Sequence, residues 1–314
     1  MALRVAVIGG GGSHEAEVSR SSASQVAEAL ECDFEVRNIE LTANIAQDLG
    51  KFQPDVVFPV LHGAPGEDGT IQGLLTILGY PYVGCGVRAS VLALDKVVAK
   101  QQFRAAGIPV LDELVATEAN LQQSIEEIRQ KFSDRVVCKP RFQGSALGTT
   151  LLPNGGDVVE ALKRGFQYDE YMLVEPFVKG REITVGVLDL FGQDAIALPV
   201  TEILVAADEW YDFTNRYTPG RSEHVIPAEV DPQLYVRLQQ AAIDAHKALG
   251  AEDLSRADFV LEPSGQFWIL EVNSMPGMTP TSLYPDACRS EGLDLVELTT
   301  RFVEGALKRG LRTA

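Results

Sequence analysis

The chain has 314 residues, 46% of them apolar and 23% charged, and a formal net charge of −17. That length suits two or three cores, and the acidic balance excludes a general binder of nucleic acid or of anionic membrane, either of which needs surplus Lys and Arg. Cys32, Cys85, Cys138 and Cys288 form no CxxC or Cys/His cluster, which suits reduced thiols in a cytoplasmic protein rather than a disulfide frame or a zinc site.

The opening MALRVAVIGGGG carries an apolar run too short for a signal peptide, and no later stretch is long and uncharged enough to span a bilayer. Residues 3–8 read as a buried strand running into a glycine loop, with Ser13 as a candidate cap for a helix over 15–30. Strands follow at 34–39 and 56–61, then a helix over 69–78 stopped by Gly79 and a short strand-like 82–83. This alternation predicts a parallel α/β unit for about the first ninety residues. A single helix is expected over 89–106, then strands at 110–115 and 135–139 around a helix at 121–132. A strand at 149–152, a helix at 157–165 and a strand at 171–177 complete an α+β middle unit. Beyond Gly180 the chain turns strand-rich (182–188, 195–203), passes through an irregular stretch at 208–224, and has a helix at 232–249. A hairpin at 257–273 and a helix at 293–309 close it, giving three expected parts, 1–95, 96–180 and 181–314.

The hairpin carries the clearest chemistry. ADFVLE and QFWILEVN flank a PSG turn, and a loop of Pro263 to Gln266 sets Glu262 opposite Phe267 and Asp258 opposite Glu271. Cross-strand neighbours on one face lie about 5 Å apart, so Asp258, Glu271 and Asn273 converge. Paired carboxylates repel unless a positive charge lies between them, and Mg2+ accepts such oxygen ligands while keeping water and phosphate. Arg256 adds an anion-binding group beside them. The alternative is a polar sheet face turned to water.

Lys139 ends the strand VVCK before the glycine loop GSALG, a pairing suited to holding phosphate, or else a lysine that merely snorkels. Lys96, in ALDK, is weaker alone. GGGGSHE fails the GxGxxG fingerprint because His14 stands where glycine is required, leaving an anion-binding helix start or a simple tight turn. His62 ends an apolar strand, where a structural hydrogen bond is the ordinary role, and His14, His224 and His246 show no metal spacing with it. There is no P-loop and no nucleophile elbow.

In order along the chain, VLHGAPGEDGTIQG, YVGCGVRASVLALDK, CKPRFQGSALG, GREITVGVL, SRADF and LEVNSMPGMTPTSL resemble the D-alanine–D-alanine ligases of the ATP-grasp superfamily. The resemblance spans essentially the whole chain. It implies an N-terminal α/β substrate domain (1–95) followed by a two-lobed ATP-grasp fold (96–180, and 181–314 with the metal site). It also implies ATP, two Mg2+ or Mn2+ ions, D-alanine as substrate and a homodimer in the bacterial cytoplasm that makes a peptidoglycan precursor. By the same resemblance Lys96 and Lys139 neutralise nucleotide phosphates, assisted by Arg216, and the Ser145-Ala146 loop covers the γ-phosphate. Glu175 contacts adenine and Glu182 the ribose. Asp258, Glu271 and Asn273 carry the metals, while Arg256 and the Gly277 amide stabilise the tetrahedral oxyanion. Glu15 holds the first D-alanine ammonium in a triad with Ser145 and Tyr217, and His62 lies near that substrate. Ser282 and Leu283 bind the second D-alanine carboxylate. Tyr217 implies an amine rather than a hydroxy-acid acceptor. The chain reads Arg141-Phe142-Gln143-Gly144-Ser145-Ala146 where the family pattern has Arg-Glu before Gly-Ser-Ser. That departure motivates one alternative, a ligase joining another amino-acid pair, such as a D-serine-containing or natural-product dipeptide; a nucleotide-binding sensor or scaffold without catalysis is an alternative of a different class.

Overall fold

In the computed structural model, which describes residues 3–206 and 209–312, the first apolar run forms β1 (Arg4–Gly9). It is central in a parallel sheet between β2 (Glu35–Glu40) and β3 (Val56–Pro59). Helices cover both faces, which is why the run is continuously apolar. Between β1 and β2, α1 (Ala16–Leu30) packs on Val5 and Val7; between β2 and β3, α2 (Ile45–Phe52) packs on Ala6 and Ile8. The sequence reading contains no counterpart of α2, whose eight residues include a glycine and show only Ile45, Leu49 and Phe52 as a buried stripe. Ser13 does not cap α1. Its hydroxyl donates to the His62 carbonyl at 2.8 Å and accepts the Glu15 N–H at 3.2 Å, tying the glycine loop to the end of β3. Next comes α3 (Thr70–Leu78), closed by Gly79 at φ +75° as expected.

The helix expected over 89–106 is two helices, α4 (Val87–Leu94) and α5 (Lys96–Ala105). Asp95 breaks it: its carboxylate accepts the N–H groups of Val97 and Val98 and receives Arg141 at 2.7 and 2.6 Å. An aspartate satisfies helix-start donors better than it sits inside a helix. Apolar periodicity is blind to such a break.

The middle unit contains β4 (Leu114–Ala116), α6 (Leu121–Phe132), β5 (Val136–Pro140), β6 (Thr150–Leu151), α7 (Val158–Gly165) and β7 (Met172–Pro176). Its antiparallel order is β4-β7-β5-β6, with α6 and α7 on one face. The larger sheet starts with β8 (Arg181–Asp189), β9 (Ile196–Ala197) and β10 (Thr201–Val205). The strand expected over 195–203 is interrupted around Pro199, which offers no N–H to a ladder. The irregular stretch holds α8 (Phe213–Tyr217) and β11 (Ser222–Val225); Ala207 and Asp208 lie outside the described residues. Then follow α9 (Pro232–Leu249), β12 (Asp253–Leu261), β13 (Phe267–Asn273), α10 (Leu283–Ser290) and α11 (Leu295–Arg309). The order is β11-β10-β8-β12-β13 with β9 paired to β8, and α4, α5 and α9 share the core on one face. The last helix, α11, returns to pack with Val5 and Val7 of β1.

The hairpin register departs from expectation in a way that matters for the site. Leu261, not Glu262, pairs with Phe267, and Glu262 instead closes the loop through its N–H to the Gln266 carbonyl at 2.8 Å. A register shift between Phe259 and Asp258 then leaves Leu270 as the extra residue, and Asp258 faces Glu271 after all. The bulge cancels the one-residue slip at the turn and brings Leu270 and Glu271 to the same cavity.

Candidate active site

Two adjoining cavities lie between the three sheets. The larger, about 310 Å³, separates the small sheet from the cavity face of the large one. The smaller, about 50 Å³, opens beside the ends of β1 and β3. Arg216 and Tyr211 line both, and every residue to which the family resemblance gives a role lines one or the other.

The hairpin carboxylates stand where the cavities meet. Arg256 donates to Asp258 through Nε (2.9 Å) and Nη2 (2.8 Å), Thr184 donates to Oδ1 at 2.6 Å, and Asn273 Nδ2 donates to Oδ2 at 3.2 Å. Burial works to raise the Asp258 pKa, but the Arg256 charge and its hydrogen bonds override it and hold the carboxyl below its usual range. Glu271 is likewise held low: burial, the largest influence, opposes ionisation, and Lys96, 3.3 Å away, together with the Arg216 and Lys139 charges outweighs burial and the Asp258 charge. Among the described residues no group of three or more His, Cys, Asp or Glu is placed to hold a metal. Two carboxylates and one carboxamide oxygen make a sparse, hard donor set. It does not suit Zn2+; it fits Mg2+ or Mn2+, which complete their shells with water and phosphate.

The larger cavity gathers cations around a buried acid. Glu175 receives Lys139 at 2.6 Å on one oxygen and Lys100 on the other. Burial favours its neutral form, and the two lysines reverse this, so it stays ionised below the usual range. Glu182 accepts the Tyr211 N–H at 3.4 Å and is raised by burial. Lys96 donates to the Gln143 carbonyl at 2.5 Å and so holds the loop that follows. In that loop Ser145 (φ +50°) and Ala146 (φ +58°) both adopt left-handed backbone, a strained choice for residues with a Cβ.

In the smaller cavity the Ser145 hydroxyl bonds Glu15 and lies 2.6 Å from the Tyr217 hydroxyl. These three side chains come from the loop before α1, the glycine loop and α8, so the contact joins all three parts of the chain. Burial raises Glu15, and burial together with the Glu15 charge pushes Tyr217 up to about 12. A Cβ on Gly277 would meet the Ser282 hydroxyl at 2.8 Å, so a side chain there would displace Ser282, and Gly277 lines the cavity wall. Ser282 accepts the Thr279 N–H at 3.0 Å, and Leu283 opens α10, whose first N–H groups lack partners within the helix.

The sequence matches the family model described as D-ala D-ala ligase C-terminus over residues 102–304, and the N-terminus model of the same ligases over 42–85. The chain belongs to the D-alanine–D-alanine ligase family. The D-alanine–D-alanine ligase of Halalkalibacterium halodurans is 40% identical over 309 residues, covering 98% of this chain and 100% of the relative. That of Geotalea uraniireducens is 40% identical over 304 residues, covering 96% and 95%. Among solved structures, the VanG D-Ala:D-Ser ligase from Enterococcus faecalis superposes with a TM-score of 0.83 at 30% identity, covering 98% of this chain and 100% of that one. The D-alanine–D-alanine ligase from Bacillus anthracis gives 0.82 at 29% identity, covering 98% of each.

Two residues that bear on these cavities were passed over in the sequence reading. Lys100 is one, and its position one turn after Lys96 on a helix was the available signal. Glu67, within GEDG, is another; it lines the smaller cavity and accepts the Gly63 N–H at 2.8 Å. Ser255, His246 and Asp189 form a hydrogen-bonded line at 2.8 and 3.2 Å that imitates a hydrolase triad. Ser255 and His246 are sealed on the face of β12 turned away from Asp258, so the line is structural.

His62 and Glu67 make stability depend on pH with opposite signs. Burial, then the Arg256 charge, pushes His62 from 6.5 down to about 4. Burial, then the Glu15 charge, pushes Glu67 from 4.5 up to about 8. The neutral histidine loses stability for the fold as pH falls from 6.5 toward 4; the protonated Glu67 loses it as pH rises from 4.5 through 8. Above pH 6.5 only the second effect operates, so unfolding free energy is expected to drop by about 1–2 kcal/mol by pH 8. Equilibrium urea unfolding at the two pH values measures this, and Glu67→Gln should flatten the slope. A parent and variant with equal slopes would remove Glu67 as its source.

Proposed function

We propose that this chain joins two D-alanines to D-alanyl-D-alanine at the expense of ATP, releasing ADP and phosphate, as a step toward a peptidoglycan precursor. The observation that carries the reading is the carboxylate hairpin at the junction of a nucleotide-sized, lysine-lined cavity and a small cavity suited to amino acids. ATP lies in the larger cavity, its phosphates toward Lys96, Lys139 and Arg216, its base at Glu175 and its ribose at Glu182. The Ser145-Ala146 loop covers the γ-phosphate. Asp258, Glu271 and Asn273 hold two Mg2+ or Mn2+ ions. When bound, these withdraw charge from the phosphoryl group in transfer.

Glu15 takes the ammonium of the first D-alanine, Ser145 and Tyr217 hold Glu15 in place, and His62 walls that substrate. The first carboxylate attacks the γ-phosphorus, forming an acylphosphate as ADP leaves. The amine of the second D-alanine, positioned through its carboxylate by the Ser282 hydroxyl and the Leu283 N–H, attacks the acyl carbon. Arg256 and the Gly277 amide meet the oxyanion with donors already oriented, and phosphate departs. Mass spectrometry of the product formed from ATP and a mixture of D-alanine, D-serine and D-lactate tests the reading. The expected product is D-alanyl-D-alanine with equimolar ADP and phosphate. A D-serine-containing product would favour the second reading, supported by the Arg141–Ala146 loop and by the D-Ala:D-Ser ligase among the structural neighbours. Nucleotide binding with no product at all would favour the sensor.

The division into 1–95, 96–180 and 181–314 is proposed because each sheet lies within one part. A cytoplasmic location is proposed from the nucleotide and precursor chemistry; no helix among the described residues is long and apolar enough to cross a membrane. A homodimer is supported by an apolar patch on α3 and α4: Ile77 is 84% exposed and Val91 47%, and Val87 lies against Gly73, one turn before Ile77. The double variant Ile77→Asp/Val91→Asp should sediment as a monomer at concentrations where the parent is dimeric. A dimeric variant would move the interface elsewhere.

A further inference from the structure

Among the described residues, Lys100 is the one lysine or arginine wholly shut off from solvent, at 0% exposure, so it touches no ligand. It lies one turn beyond Lys96 on α5, whose start is set by Asp95. Its ammonium bonds Glu175 and stands 3.3 Å from Glu113, which in turn pairs with Arg104. A charge buried this deeply is costly unless it is compensated, so the fold holds it against those two acids.

The consequence lies on the other side of Glu175. Leu151, Val137 and Glu175 are register neighbours across β6, β5 and β7, and all three line the larger cavity. One carboxylate beside two apolar side chains makes a slot for a flat heteroaromatic ring with a single polar reader. An ionised carboxylate only accepts hydrogen bonds, whereas a protonated one also donates. An acceptor matches the 6-amino group of adenine and opposes the 6-oxo group of hypoxanthine. Lys139, the second cation on Glu175, lines the cavity and is the one that phosphates can draw away; Lys100 cannot leave.

We propose that Lys100 is a positioning residue that keeps Glu175 ionised and acceptor-only while nucleotide is bound, and thereby sets the preference for 6-amino over 6-oxo purine triphosphates. This rests on the reading above that the base lies at Glu175. Burial favours the neutral acid there, and the pair of lysines reverses it, which is the same dependence seen in the resting site.

The test measures kcat and KM in the full-length protein with ATP and with inosine triphosphate. Lys100→Met is expected to lower the ATP to inosine triphosphate ratio of kcat/KM by about tenfold or more, the range for losing a charged hydrogen bond, through nucleotide KM. The KM for D-alanine and kcat with ATP should stay within about twofold, which a general loosening of the fold would not leave untouched. Glu175→Gln should lower the same ratio. If it does so while Lys100→Met leaves the ratio unchanged, the role of Lys100 is overturned and the base site stands. If neither variant moves the ratio, the base site itself falls. Should Lys100→Met alone not fold, Glu175→Gln and the Lys100→Met/Glu175→Gln double variant, in which Lys100 and the charge it compensates are removed together, decide the matter. Equal ratios in those two support action through Glu175, and a further drop in the double variant overturns it.

Discussion

Asp258→Asn is expected to lower turnover by about 10³-fold or more and to destabilise the fold by about 3 kcal/mol. Both effects have one origin. Among the described residues Asp258 is the only carboxylate hydrogen-bonded to the buried Arg256 guanidinium, and it is central to the hairpin cluster. The amide keeps the shape and removes the charge, which leaves Arg256 in a poorly solvated site without its counter-ion. It also replaces one acceptor with a donor facing groups that already donate: Thr184, Asn273 and Arg256. Phosphate release in steady state gives the first quantity and equilibrium urea unfolding the second. Turnover within tenfold of the parent would remove Asp258 from the metal site.

Glu15→Gln is expected to separate function from stability. Glu15 is raised by burial and held mainly by the Ser145 hydroxyl, with Arg216 and Lys96 acting only through their charge and Glu271 working against it. It also pushes Glu67 upward. Losing its charge therefore relieves repulsion, and the unfolding free energy should stay level or rise. On the proposed placement of the first D-alanine, however, its ammonium loses its counter-charge in a buried site. About 100-fold in kcat/KM for D-alanine should follow, with KM for ATP unchanged within about twofold. Parallel titrations of D-alanine and ATP check this. A rise in KM for both substrates would point to disturbance of the Ser145 loop instead.

Placing these two changes required both kinds of information in different measure. The motifs at 60–73, 138–148 and 270–283 name their chemistry locally, because a turn that needs glycine and a strand that ends in acids are written within a few residues. Helices 121–132 and 232–249 were equally legible, each with a clear apolar stripe, the second also capped by Asp231. Short α2 and α10 were not, since eight residues carry too little periodicity, and their apolar positions acquire meaning only from the sheets they cover.

By itself the sequence determined the class of fold, the family resemblance and the identity of the residues around the site. Three things were decided only by the tertiary structure. The facing of Asp258 and Glu271 depends on a bulge at Leu270 that compensates a shifted turn, and strand alternation contains no sign of either. The orientation of Lys96 and Lys100 follows from Asp95 breaking a continuous apolar pattern, a choice settled when Arg141, 46 residues away, takes the same carboxylate. The burial of Lys100 and the opposite pKa shifts of His62 and Glu67 arise from neighbours brought from other sheets. Side-chain type is a local property and can be read in order; desolvation and register are sums over partners that the chain meets only once it has folded.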